Sequence, residues 1–327
     1  MLFVARESGH VIGLAIMIAK PLRRHGLMRS RALFVNTTGD DDLDQITIEY
    51  NGLLTEENRQ EEVTIAALNF LIATGWDEVF IDATQVSDAF CSSHGDHWQM
   101  ARRSVSRAYG VDLQELRSTG KKYLDTLSSN TRSQLRRNLR EYGKLGRLHV
   151  EVAGTQEEVC EWFAELRRLH QAYWEGKGHP GAFSNPFLDQ FHRELVAERL
   201  AHGEIQLLRI GFGERCIGYL YGFVWNGTVL NYQAGLDYAL LPDRNRPGAV
   251  AHYAAIEFNF SSGIRYYDLL AGDSQYKQSL STTTVPLSWV VARRICFKFR
   301  FEDAMRAMRN WLIARRPSTS AENLEKE

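Results

Sequence analysis

The feature that most constrains this chain is a short pattern that recurs. ALNFLIATGWDEVFID at residues 67–82 and AIEFNFSSGIRYYDLL at residues 255–270 match at Ala67/Ala255, Phe70/Phe258 and Gly75/Gly263. In both, an apolar stretch at helical spacing ends at a glycine, and a strand follows. Any helix-glycine-strand unit looks similar, so the order of elements around the pattern carries the argument. A chain of 327 residues is long enough for two such units, each with a core of its own.

That order is the same in both halves. LFVAR and HVIGLAIMIAK read as strands joined at Glu7-Ser8-Gly9, with a third strand near residues 32–36. After the acidic Asp40-Asp41-Asp42 comes a helix over about 58–74, with Ile65, Leu68, Leu71 and Ile72 on one face, and then the strand EVFID. Residues 84–125 are polar and weakly patterned, and the connection between halves falls there or in the next helix. The second half reads as helices over 131–145, 155–173 and 186–202, then the meander IQLLRI, RCIGYLYGFVW and TVLNYQAGL, whose last turn is the hairpin-forming Asn226-Gly227. A helix over 247–262, the strand IRYYDLL, a polar loop, the strand VPLSWVVARR and a helix over 302–314 complete it. The expected fold class is α/β with a mixed sheet, divided into 1–125, 126–316 and a disordered tail at 317–327.

Charge and cysteines narrow the function. Lysine plus arginine (39) balance aspartate plus glutamate (40), so nothing in the overall charge calls for nucleic acid or an anionic membrane as partner. Cys91, Cys160, Cys216 and Cys296 lie far apart with no zinc or disulfide spacing, which fits a reducing, cytoplasmic setting. The apolar run at residues 11–19 is too short to cross a bilayer. His94 and His97 flank Asp96 without a third ligand and read as a polar loop, so no metal is expected.

The stretches LSSNTRSQLRRNLREYGKLG, LHQAYWEGKGHPGAF and YDLLAGDSQYK are similar to those of the CelD-like acyltransferases, tandem GNAT proteins of cellulose and polysaccharide biosynthesis related in architecture to the Fem peptidoglycan-bridge enzymes. The resemblance is most specific over roughly 126–293, and the first unit lacks the opening helices of a GNAT fold. It implies a donor such as acetyl-CoA or another acyl-CoA, an amine or hydroxyl acceptor, and direct transfer without metal in a cleft between splayed strands. An acceptor from an exopolysaccharide or cell-envelope precursor would follow. Fem-like transfer from aminoacyl-tRNA and a non-catalytic binding role in a polysaccharide system are the alternatives.

The candidate residues fall into four groups. Arg244, Arg246, Gly248, Ala249 and Val250 open a helix and resemble a pyrophosphate-binding loop, though its usual second glycine is missing; Pro-Gly is equally a good helix start. Asp268, Asp273, Tyr276 and Lys277 follow a buried strand, where a carboxylate could accept the acceptor's proton, Tyr276 could protonate the departing thiolate and Lys277 could hold a negative group; the plain alternative is a loop that closes the domain. Tyr232 and Gln233 in NYQAGL, with His170, Trp174 and Lys177, are candidates for acceptor contact, or else packing residues. Arg136, Arg137 and Arg140 lie on a strongly basic helix that reads either as an anion site or as a solvated face.

Overall fold

The computed structural model describes residues 1–24, 28–44, 48–241 and 246–314. The first unit runs β1 (Leu2–Glu7), β2 (His10–Arg24), β3 (Met28–Val35), β4 (Leu54–Thr55), α1 (Gln60–Ala73), β5 (Glu78–Thr84), α2 (Asp88–Cys91) and β6 (Trp98–Asp112). Three helices link the units: α3 (Leu113–Thr119), α4 (Tyr123–Thr126) and α5 (Ser129–Gly143). The second unit runs β7 (Leu148–Val152), α6 (Gln156–Glu175), α7 (Pro186–Arg199), β8 (Ile205–Phe212), β9 (Arg215–Trp225), β10 (Thr228–Leu236), α8 (Pro247–Ser261), β11 (Tyr266–Ala271), α9 (Gln275–Leu280) and β12 (Thr283–Arg294). Helix α10 (Phe297–Ala314) closes the described chain. The expected tail at 317–327 lies outside the described residues.

The repeat corresponds to two equivalent substructures. In each, an antiparallel meander leads through a helix and a left-handed glycine, Gly75 (φ +102°) or Gly263 (φ +83°), to a strand that returns parallel to the last meander strand. Strand β5 pairs with β3 from Ala32↔Glu78 to Phe34↔Phe80, and β11 pairs with β10 from Thr228↔Tyr266 to Leu230↔Asp268. Beyond these three-residue ladders both pairs part.

One sheet in the order β1-β2-β3-β5-β12-β6-β11-β10-β9-β8-β7 joins the units, with β4 added beside β2. Strand β6 of the first unit lies against β11 of the second, while β12 of the second lies against β5 of the first. The two exchanged strands also pair with each other, from Thr283↔Gly110 to Arg294↔Trp98.

The 84–125 stretch, read as a weakly patterned connection, therefore contains a central strand. Its middle, Arg102 to Arg107, is polar and mostly solvent-facing, which hides the strand pattern. Strand β7 and helix α9 also escaped the sequence reading, and α10 starts five residues earlier than expected, at Phe297 and not Glu302.

Each face is buried differently. Helix α8 packs Val250, Ala254 and Ala255 on Leu208, Ile210 and Leu220, and α6 packs Trp162, Phe163 and Leu166 on the opposite face. In the first unit α1 covers one face through Val63, Leu68 and Leu71. The other face holds a small cluster of strand residues, Ala32, Phe34, Phe80 and Val291. Because β6 stands between β11 and β12, residues 126–327 expressed alone are expected to be insoluble or unfolded, and co-expression with residues 1–125 should restore a folded protein by circular dichroism. A folded, soluble 126–327 fragment would refute the exchange.

Candidate functional site

Strands β10 and β11 separate just after Leu230 and Asp268, and β10 carries a bulge between Asn231 and Gln233. Bulges and parted strands free backbone groups and open a wedge in a sheet. Asp268 sits at its vertex, buried, with Oδ2 accepting from the Tyr50 hydroxyl (2.6 Å) and Oδ1 accepting from the Leu270 N–H (2.7 Å). Burial pushes its carboxyl up, against the Tyr50 and Leu270 hydrogen bonds and the positive charge of Lys277.

Lys277, in α9, donates to the carbonyls of Ala271 (2.6 Å) and Leu270 (3.4 Å). Burial lowers its ammonium, while Glu49 and Asp268 raise it. Glu49 comes from the first unit, where sequence reasoning did not look. It lies within electrostatic reach of Lys277 and Asp268, and burial, the largest influence, pushes its carboxyl up to about 7, against the Lys277 charge and the backbone of Glu49 and Ala271. Both sides of this contact are strained: Tyr50 (φ +56°) and Leu270 (φ +62°) are non-glycine residues in the left-handed region. Nothing in the local sequence marks Glu49 or Tyr50; only the strand exchange brings them to Asp268 and Lys277.

The remaining candidates divide. Tyr276 stands in the first turn of α9, with its ring stacked on His252 of α8 at 5.5 Å, and Asp273 is exposed and accepts from the Tyr109 hydroxyl (3.0 Å). Tyr232 meets His192 Nε2 at 3.2 Å, and His192, a residue not foreseen, reaches Tyr221 through Nδ1 at 3.4 Å. Burial lowers His192 to about 4, so it is neutral at pH 7. Gln233 lies at the β10 bulge.

His170 is committed to backbone: Nδ1 donates to the Ala234 carbonyl (3.2 Å) and Nε2 accepts from the Ala182 N–H (3.3 Å). Trp174 packs on His170, Tyr173 and His179, and the Lys177 ammonium lies 4.5 Å from the Tyr173 ring centre. Tyr173 in turn stacks on Tyr238, just past β10. Arg136, Arg137 and Arg140 are exposed on α5, which packs against α8.

Helix α8 starts at Pro247 without a side-chain cap and with no acidic residue in its first turn. Helix geometry leaves the N–H groups of Gly248 and Ala249 without intrahelical partners, pointing outward. A Cβ on Gly248 would meet only Leu236 Cδ1, at 3.3 Å, while Val250 is buried and Arg246 exposed; Arg244 lies outside the described residues. The equivalent start of α1 is the opposite case. Glu56, Glu57, Glu61 and Glu62 surround it, and Arg59 is spent on Glu7, Glu56 and Glu62. Of the two equivalent helix starts, α8 alone suits an anion.

Comparison with known proteins accords with this geometry. Residues 129–278 match the acetyltransferase (GNAT) domain family. The C-terminal domain of a candidate lysylphosphatidylglycerol synthetase from Agrobacterium fabrum is 12% identical and superposes with a TM-score of 0.53, covering 96% of this chain and 88% of that one. L-PGS from Bacillus licheniformis is 12% identical with a TM-score of 0.51, covering 96% and 89%. FemX, at 10% identity, gives 0.49 over 87% and 86%. No curated protein matches the chain in sequence. The class defined by fold and site is that of the tandem GNAT acyltransferases. Residues 129–278 form a GNAT acetyltransferase domain, and the chain as a whole has a tandem GNAT fold.

The site predicts its own pH signature. The folded Glu49 carboxyl keeps its proton up to about 7 and the unfolded one releases it near 4.5, so between those values the folded state binds the extra proton and stability falls as pH rises. Glu49→Gln, which removes the titrating group, should raise Tm relative to wild type at about pH 8 and leave the difference small or negative at about pH 5, as read by differential scanning calorimetry. A pH-independent difference would contradict the half-buried, proton-holding environment of Glu49.

Proposed function

We propose that the protein transfers an acyl group from a CoA thioester to an amine, at a site to which both units contribute. The observation that carries this reading is Glu49, supplied by the first unit opposite Lys277 and Ala271 at the mouth of the β10/β11 wedge, beside the anion-suited start of α8. A carboxyl that titrates near neutrality suits a general base.

In this reading Arg246 and the N–H groups of Gly248 and Ala249 hold the donor's pyrophosphate. Glu49 takes the proton from the incoming ammonium, and the freed nitrogen lone pair attacks the thioester carbonyl. The C–N bond forms, the C–S bond breaks, Tyr276 gives its proton to the departing thiolate, and the second proton of the attacking nitrogen passes to the Tyr276 phenolate, leaving amide, free thiol and protonated Glu49. Asp268, tied to Tyr50 and Leu270, fixes the vertex, and Lys277 holds the Leu270–Ala271 backbone in register.

The division at about residue 125, a cytoplasmic setting and a precursor of the cell envelope or of an exopolysaccharide as acceptor complete the proposal. All four cysteines are free, and among the described residues no helix is long and apolar enough to cross a membrane. A second reading, transfer from aminoacyl-tRNA, draws on the exposed Arg136, Arg137 and Arg140 beside α8.

Isothermal titration of the purified chain with CoA and acetyl-CoA decides between donors. Micromolar binding that weakens at least about tenfold in Gly248→Glu, with Tm unchanged, is expected, because the added carboxylate meets the donor's phosphates. Silence toward both, with binding to charged tRNA, would overturn the CoA reading. Glu49→Gln should lower kcat by about 10²–10⁴ and abolish the rise of activity through about pH 7.

A further inference from the structure

A groove of about 750 Å³ lies between the uncovered face of the first unit's sheet and helix α7 of the second. Its floor holds Phe34 and Phe80, stacked at 4.7 Å, together with Leu22 and Trp289. Its wall holds Phe187 and Phe191, stacked at 6.4 Å and left 57% and 46% exposed. Neither pair is part of the site described above. At the inner end stand Ile48, next in sequence to Glu49, and the Tyr232–His192 pair, so the groove opens toward the proposed base.

The charges in the groove are unequal. Asp41, Asp44 and Asp82 line it, against Arg103 and Arg293. Arg103 is taken by Asp82 (2.9 Å) and lies over the Phe80 ring; Arg293 is taken by the buried Glu78 (3.2 Å) and by Asp303 (3.5 Å). Asp44 satisfies its oxygens with the N–H groups of Thr38, Gly39 and Asp40 and with the Thr38 hydroxyl, all neutral donors, so its charge stays uncompensated. A phosphate or carboxylate entering here would meet carboxylates and find both arginines already paired. An ammonium on a ring would meet the reverse: carboxylates for the charge and the exposed Phe187 and Phe191 rings for the body.

We infer that this groove is the acceptor site and that it takes a primary amine borne on an aromatic or similarly flat apolar body, and not an anionic sugar or nucleotide-sugar. The inference rests on the acyl-transfer reading for its role; it keeps the amine of that reading and replaces the envelope or exopolysaccharide precursor named there. The volume fits a molecule of small-ligand size, and the exposed Phe187 and Phe191 rings offer a flat body an apolar wall beside the floor of Phe34, Phe80 and Trp289.

The test uses the full chain without donor, titrated calorimetrically with tryptamine and with indole-3-propionate, two probes of one shape and opposite charge. Tryptamine is expected to bind at least about tenfold more tightly than indole-3-propionate, and Phe191→Ala to weaken it about tenfold. Asp82→Asn, which leaves Arg103 without its carboxylate, should erase or reverse the preference between the probes. Equal or tighter binding of indole-3-propionate, no binding of tryptamine, or indifference of tryptamine to both substitutions would overturn the inference. A parallel CoA titration keeps the two readings apart. Tryptamine binding with CoA silent would refute thioester-dependent transfer and leave the groove's ligand class standing, and CoA binding without tryptamine preference would do the reverse.

Discussion

The ladder between β6 and β12 is the interaction on which the rest of this structure depends. Each strand ends one unit in sequence and completes the sheet of the other in space, so the two units cannot part without opening three strand interfaces, β6/β11, β6/β12 and β12/β5. Backbone hydrogen bonds across a sheet interior leave little freedom of register, because a slip of one residue would turn Leu287 and Val291 out of their clusters. The register in turn fixes the site. Asp268 pairs with Gly110, and Tyr266 Oη, which would clash with any side chain at residue 110, bonds Thr283 Oγ1 of β12 at 2.7 Å. Tyr50 then reaches Asp268 from the first unit.

The sequence carried the duplicated plan well and the site only in part. Helices α1, α6 and α8 and the β8–β10 meander were legible because their apolar spacing and punctuating glycines are strong local signals, and Gly75 and Gly263 do adopt the left-handed conformation that the repeat implied. Strand β6 was not legible, because a strand whose centre reads Arg102-Arg103-Ser104 has no alternating pattern to find. Asp268, Tyr276 and Lys277 were within reach since they follow one strand. Glu49 was not, because its partners lie more than two hundred residues away and nothing near it in sequence needs a carboxylate. His170 shows the converse: a histidine placed where an acceptor pocket was expected turns out to join three segments of backbone.

The two units differ in charge and in cover. An anion at the start of α8 and one at the start of α1 would see equivalent backbone geometry, yet the carboxylates around α1 make the second position repulsive, so the two copies cannot serve the same ligand. Among the described residues the first unit's sheet has no pair of helices like α6 and α7, and Phe34 and Phe80 face a groove that α7 flanks from across the molecule. An exposed aromatic face of this kind would favour aggregation in a lone sheet. Here it is shielded by α7 and bordered by Asp41, Asp44 and Asp82, and its inner end lies beside the residue that carries the proposed proton transfer. In the proposed reading one unit presents the donor-holding helix and the other the base and the apolar floor, and the exchanged strands hold the two halves of that site together.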